Sequence, residues 1–503
     1  MIEISSSSRM IMIAVFAVYT LAVLIWAIKG NNMKSAKGGD YVEKFSTGGR
    51  DSNVFVVAMM VCAGIAGAGV FLGVPGFIYT FGSMWLVCCF WSMSCTLTTL
   101  GIVGKKTGIV ARRCNAQTFV ELMYHRFARN KVFGVLASLV MLIFLGGFAV
   151  STMVGGGRIF QVLTGLPFWV GLAIFAVLVV IAALTGGVKG VGTSIMIQGI
   201  VMTVCVVILF CMGIGSAGPL GDTIRNLTIT YPEWWEPGPT AVKTCITYAL
   251  LWGFASFTLP HVSIGTLTYK DTNTMHQAMK VGIVVYTIWL IGLNLLAFPI
   301  KSLFTDLASA DLGIPTLAVT VLPAWIAGLV LAGVCAAVQS SIGGMIMSLS
   351  TCVIRDLIQN ILYPNLKGSS MKKVTTISTL AVAAIVFAFS VNPPALLAQL
   401  ITYSTGALMA GFLGVMLLGY YWPRANEYGA IACIVVGIGS YLLMANGIGS
   451  ALAFGLNASI MASVYGLAAM VIVSLVTPKT PYGIIKVWFS DDYPEEAPAS
   501  AAE

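Results

Sequence analysis

The sequence is poor in charge: only 9% of its 503 residues are Asp, Glu, Lys or Arg, and just 18 residues are acidic. A soluble chain of this length needs far more polar surface to remain in water. Histidine is scarcer still, and the three copies, His125, His261 and His276, form no metal-ligand set. No two cysteines stand at CxxC spacing. Most of the eleven, among them Cys62, Cys88, Cys89, Cys95, Cys205, Cys211, Cys335 and Cys433, lie inside apolar runs. A free cysteine there acts as a small core residue, which excludes a disulfide framework. No nucleophile–base pair stands out, so the chain is not expected to be an enzyme. A channel is disfavoured by the lack of a repeated pore loop or ring of charge. A sensor is disfavoured because no kinase or ligand domain follows the last apolar run. The N-terminus lacks a basic region and a small-residue cleavage site, so the first apolar run is expected to be a retained span.

What the chain has in excess is hydrocarbon. Hydrophobic residues make up 58% of it and mean hydropathy is +0.94, so a bilayer must be its solvent. The fold class expected is an all-α polytopic membrane protein of the plasma or inner membrane. Thirteen candidate spans lie at about 10–28, 54–80, 83–104, 132–163, 166–186, 188–213, 241–265, 276–300, 316–352, 375–391, 395–422, 427–447 and 453–476. Several exceed one crossing and imply tilt or extension past the interface.

A net charge of +9 could suggest nucleic acid, but the basic residues sit in short loops between apolar runs. With the N-terminus outside, 22 of the 27 Lys and Arg residues fall on the cytoplasmic side. Only Arg9, Arg158, Arg225, Lys243 and Lys301 remain outside, which is the expected positive-inside bias. An odd span count then puts the C-terminus in the cytoplasm. The partners expected are lipid and a small solute, with no nucleic acid and no obligatory protein. Residues 115–130 predict a short amphipathic helix along the inner interface, with Phe119, Leu122, Met123 and Phe127 on one face. The Pro- and Trp-rich loop 231–239 predicts a cap dipping into headgroups. Residues 1–480 read as one transmembrane domain and 481–503 as a disordered cytoplasmic tail, acidic and Ala/Pro-rich from Asp491.

All eighteen acidic residues fall in loops, tails or span ends, so no carboxylate is placed in the membrane interior for a proton relay. An ion site must then use neutral oxygens, which suit sodium. The second span carries Gly64, Gly67, Gly69, Gly73, Gly76 and Pro75. Each glycine costs helix about 1 kcal/mol, so the run either breaks and frees carbonyls or packs closely through faces such as Gly69 and Gly73. In the ninth span Ala337, Ser340 and Ser341 share one helical face, as ion ligands or as interhelical glue. In the seventh, Pro260 predicts a kink, with Ser256 and Trp252 one and two turns before it and His261 after it, near the inner part.

LGVPG (72–76), TGGVKGVGTSIMIQG (185–199) and AGVCAAVQSS (332–341) resemble the sodium:solute symporter family, over about residues 10–480. LPHVSIGTLTYKD (259–271), IPTLAVTVLPAWIAGLVLAG (314–333) and YWPRANEYGA (421–430) are similar to its sodium/pantothenate branch. The resemblance implies a leucine-transporter-type inverted-repeat fold, with spans 2–6 (about 54–213) and 7–11 (about 241–422) as repeats. The first span and those at 427–476 then lie outside them. It implies sodium-coupled symport of a small organic solute, pantothenate or a related carboxylate. The sodium site implied uses carbonyls of Ala63, Ala66 and Ala337 and the hydroxyls of Ser340 and Ser341. The solute residues implied are Gly67, Ala68, Phe71, Phe148, Trp252 and Ser256. The chain departs from relatives at Ile65, where many carry a polar or acidic residue. It departs again at Ile195, Gly343 and Gly344, where relatives with a second sodium site carry an Asp and hydroxyls. One sodium per solute is therefore expected. A proton-coupled or facilitative transporter of the same fold is the alternative, separated by sodium dependence.

Overall fold

The computed structural model describes residues 5–29, 40–87, 93, 96–236, 238–307, 309–364, 369–392 and 397–490. The expected third span and the tail from Asp491 lie partly or wholly outside these residues. Among the described residues nine helices are long and apolar enough to cross a bilayer, or eleven when two bent pairs are included. One of the nine, Phe168–Gly213, has 46 residues. That is about 69 Å of helix, roughly twice a hydrocarbon core. Gly187 interrupts it at φ 56°, ψ −151°. The two halves fold back on each other, since a Cβ at Gly190 would stand 3.1 Å from the Ala182 carbonyl oxygen. The element corresponds to the expected fifth and sixth spans joined by a one-residue reversal.

The first span, Ser6–Lys29, packs on the molecule through Phe16, whose ring meets Phe160 edge-on at 5.7 Å. Near the C-terminus, Glu427–Ala445 and Ala458–Val476 approach closely because glycines remove side chains between them. A Cβ at Gly429 would stand 2.8 Å from the Met470 carbonyl oxygen, and one at Gly466 3.1 Å from that of Cys433.

Three peripheral expectations are corrected by packing. The helix in the 115–130 segment is Phe119–Arg126, capped by Thr118, and its apolar face turns to protein and not to headgroups. Phe119 meets Phe412 edge-on at 5.4 Å, and Arg126 donates to the carbonyls of Gly419 and Trp422 at 2.8 and 3.0 Å. The tryptophans of loop 231–239 also dock on protein. Trp234 is buried and its Nε1 donates to the Ile78 carbonyl at 2.9 Å, while Trp235 stacks on Phe298 at 5.8 Å. Part of the segment expected to be a disordered tail is helical, Tyr482–Phe489. Trp488 anchors it on Tyr420 at 5.5 Å, and Arg113 holds the Val487 carbonyl at 3.0 Å. An apolar YGIIKVWF run supplies the side chains to bury, which the following acidic residues do not.

Two acidic residues at the inner ends are buried. Glu121 is 2% exposed and Asp356 3%. Arg355 donates to Glu121 through Nε at 2.9 Å and Nη2 at 2.8 Å, and the Gln117 N–H donates at 2.7 Å. Thr118 donates to Asp356 at 2.5 Å, so the 119–126 helix is fastened to the inner end of the ninth span. Burial pushes the Glu121 carboxyl up, yet Arg355, with His125 and the Gln117 N–H, holds it below its ordinary value.

Gly187→Ala places a side chain in a backbone region open to glycine, with its Cβ 2.9 Å from the Phe45 carbonyl oxygen. A loss of about 1–3 kcal/mol is expected, read as a lower Tm in detergent. A carboxyl with a depressed folded pKa stabilises fully above its unfolded value of about 4.3 and loses that contribution as pH falls through the folded value. Glu121→Gln should therefore cost about 2–3 kcal/mol at neutral pH and flatten the fall of Tm below about pH 4.3.

Candidate ion and solute site

The second span begins at an Asn53 cap, whose side chain accepts from the Val56 N–H at 3.0 Å. It runs as Val54–Gly67, breaks, and resumes as Gly69–Phe81 at an angle of 53°. The break is Gly67, at φ 35° and ψ −164°. Only glycine suits this residue on two counts, because a Cβ there would also stand 2.8 Å from the Ser341 hydroxyl. A Cβ at Gly69 or Gly73 would meet nothing within 4 Å. The helix therefore breaks at Gly67 and packs closely at Gly64 and Gly76, where a Cβ would stand 3.3 Å from Val262 and 3.1 Å from the Ala310 carbonyl.

Across the break lies the ninth span, helical over Ala324–Thr351 and buried at every residue from Val330 to Thr351. Ser341 Oγ is 2.9 Å from the Ala63 carbonyl oxygen and 3.2 Å from that of Ala337. Ser340 donates to the same Ala337 carbonyl at 3.0 Å. Four of the five expected ion-site residues are thus in direct contact around Ser341. The fifth, Ala66, lies one residue before the break and its carbonyl accepts the Gly69 N–H. Every oxygen in this group is neutral. Among the described residues no group of three His, Cys, Asp or Glu side chains could hold a metal ion.

The seventh span breaks where its proline predicts. Val242–Thr258 and Pro260–Leu267 meet at 47°, with Leu259 extended at φ −82°, ψ 114°. Pro260 has no N–H to complete the ladder, and it opens the next helix at its first turn. Thr258 satisfies one freed carbonyl, donating to Ala255 at 2.7 Å. His261, which the sequence placed toward the inner part of the span, sits against the second-span break with Nε2 3.2 Å from the Gly64 carbonyl oxygen. Sequence reasoning set this residue aside as a metal ligand and gave it no other role. Its signal was its place directly after a helix-breaking proline.

The expected solute residues divide into neighbouring groups. Gly67 lies at the ion-site side, and Ala68 follows it in the chain. Phe148 meets His261 edge-on at 5.6 Å. Ser256 accepts from Thr99 at 3.4 Å. Phe71 is buried against Trp289, edge-on at 5.6 Å. Trp252 stands apart in an aromatic cluster with Phe77 at 5.9 Å, Tyr248 at 6.0 Å and Trp85 at 6.3 Å. Thr99 and Trp289 were not found from sequence, because a polar or aromatic residue in an apolar run carries no local sign of what it faces.

The overall fold that carries this arrangement recurs in solved structures. A Na+-coupled sialic acid symporter in a substrate-bound outward-open state superposes with a TM-score of 0.77, covering 94% of this chain and 99% of that one at 19% identity. Mhp1, a nucleobase-cation-symport-1 family transporter in a closed conformation, gives 0.56 over 88% and 97% at 15% identity. Both show the leucine-transporter-type fold. In sequence, the chain is 31% identical to the sodium/pantothenate symporter of Haemophilus influenzae, covering 86% of this chain and 90% of that protein. It is 28% identical to the Escherichia coli sodium/pantothenate symporter over 84% and 88%, and 23% identical to the Escherichia coli sodium/proline symporter over 85% and 86%. The description of the sodium:solute symporter family matches residues 45–437. The chain belongs to the sodium:solute symporter family and is a multi-pass transporter of the cytoplasmic membrane.

Proposed function

We propose that the protein carries pantothenate or a related small carboxylate into the cell with one sodium ion, through thirteen spans with the N-terminus outside. The carrying observation is the contact of Ser341 with Ala63 and Ala337 across the second-span break. A hydroxyl donating to a carbonyl leaves its own lone pairs available. Rotation of the Ser341 and Ser340 protons would turn Oγ atoms and carbonyls toward a dehydrated monovalent cation. Sodium bound there ties the second span to the ninth and favours the outward-open state. Solute then favours occlusion, and the two repeats rock to open inward. An inward-negative potential drives the ion at about 2.3 kcal/mol per charge per 100 mV.

One sodium per solute is supported by the apolar and neutral lining near Ile195. The cleft between the first, fifth, sixth and ninth spans holds Ile195 and Gly343 beside the neutral Ser194, Gln198 and Gln339. The solute is placed between the two breaks, among Gly67, Ala68, Phe71, Phe148 and Ser256, with Trp252 on the outer approach. Its carboxylate would be met by the helix N-termini that restart after the breaks. Pantothenate is favoured over proline because the two pantothenate relatives are 31% and 28% identical, against 23% for the Escherichia coli proline symporter.

Radiolabelled pantothenate uptake into proteoliposomes should require an inward sodium gradient and disappear when potassium replaces sodium. Sodium-independent uptake would discard the ion site and favour the facilitative or proton-coupled alternative. Ser340→Ala and Ser341→Ala should each raise the sodium concentration for half-maximal uptake roughly tenfold or more, the effect of losing one ligand worth about 1.4 kcal/mol. Both variants should insert normally, as judged by membrane yield, and unchanged sodium dependence in both would remove the site.

A further inference from the structure

His261 is 3% exposed and touches three elements around the proposed ion site. Its Nε2 faces the Gly64 carbonyl of the second span at 3.2 Å. Phe148 of the fourth span covers its ring edge-on at 5.6 Å. On the ninth span, a Cβ at Gly344, one turn beyond Ser341, would stand 3.8 Å from the His261 carbonyl oxygen. A carbonyl can only accept, so Nε2 carries the ring proton and Nδ1 of the neutral imidazole is a bare acceptor. That Nδ1 is buried and has no hydrogen-bond partner. An unpaired buried acceptor is a standing cost, and one held between two helix breaks invites a ligand to remove it.

We infer that His261 Nδ1 is the acceptor that reads a hydrogen-bond donor, a hydroxyl or N–H, on the transported solute. The inference rests on the solute site proposed above. Phe148, one of the proposed solute residues, is half-buried and packs on this imidazole. The consequence is selectivity. A carboxylate with a hydroxyl or amide N–H, as pantothenate has, satisfies Nδ1, whereas a plain short-chain carboxylate such as propionate leaves it orphaned. A site built to hydrogen-bond a donor discriminates strongly against an analogue without one.

Because the chain has three histidines, ring-15N-histidine labelling of the full-length protein in nanodiscs gives few enough resonances to assign against His261→Gln. Without solute, the spectrum should show His261 with Nε2 protonated and Nδ1 bare. Sodium pantothenate should move the Nδ1 resonance, and sodium chloride should not. In transport, His261→Gln keeps a donor at the ε position for the Gly64 carbonyl and removes the δ acceptor. It should raise the pantothenate KM about ten- to hundredfold with kcat little changed. The penalty should vanish for the analogue that lacks the donor Nδ1 reads, either with its hydroxyls replaced by hydrogen or with its amide N–H methylated. A protonated Nδ1 without solute, or an unmoved Nδ1 in protein that takes up pantothenate, overturns the inference. If the wild-type protein takes up no pantothenate, the solute proposal fails and the same spectra are recorded with proline, whose ammonium is the donor. An Nδ1 unmoved by proline as well sinks the inference on its own.

Discussion

A lipid interior offers no water to a freed carbonyl or N–H, and the structure turns on how it meets that constraint at two helix breaks. At Gly67 the second span loses its ladder, and at Pro260 the seventh loses a donor. The carbonyls released at the second span are taken up by side chains of other spans, and one at the seventh is taken up within its own turn. Ser341 reaches Ala63, His261 reaches Gly64, and Thr258 turns back on Ala255. The second-span break is therefore stable only when other spans lie beside it. A transporter needs contacts that can be exchanged for a ligand's, and hydroxyl or imidazole bonds to carbonyls are of that kind.

The surrounding spans are arranged to keep this region fixed. The ninth span is buried all round over more than twenty residues from Val330 to Thr351, which makes it the axis against which the breaks are set. Its inner end is clamped by Arg355 and Asp356 to the 119–126 helix, which is in turn fastened by Arg126 to carbonyls at the end of the eleventh span. On the outer side Trp234 hydrogen-bonds the Ile78 carbonyl, near the end of the second span's outer half. Buried pairs such as Glu121–Arg355 contribute little net stability against desolvation but are costly to break, so they fix geometry more than they deepen the fold.

The hairpin at Gly187 shows the same economy at a single residue. A region of φ/ψ open to glycine reverses the chain between two spans without a loop. The void beside it, between the first, fifth, sixth and ninth spans, is lined by neutral groups, with Ile195 and Gly343 in its wall. Charge is absent from that wall, whereas the inner ends of the molecule concentrate it.

Much of this was legible in the residues themselves. Hydropathy alone demanded a bilayer, since no arrangement of 9% charged residues can wet so long a chain. Pro260 dictated a break in the seventh span wherever its neighbours lay, because it lacks the N–H. The glycines of the second span did not by themselves choose between breaking and packing, for a missing side chain serves either. Both occur, and only the folded chain shows where: the Ser341 hydroxyl pressed against Gly67 marks the break, while Val262 and Ala310 close on Gly64 and Gly76. The same holds for the 119–126 helix and the 231–239 loop. Their apolar faces were evident, but an apolar face buries equally well in lipid or protein, and which one it meets depends on what the rest of the chain brings beside it. His261 is the sharpest case: its chemistry was readable from the sequence, but the Gly64 carbonyl that fixes its tautomer lies 197 residues away and meets it only in the folded molecule.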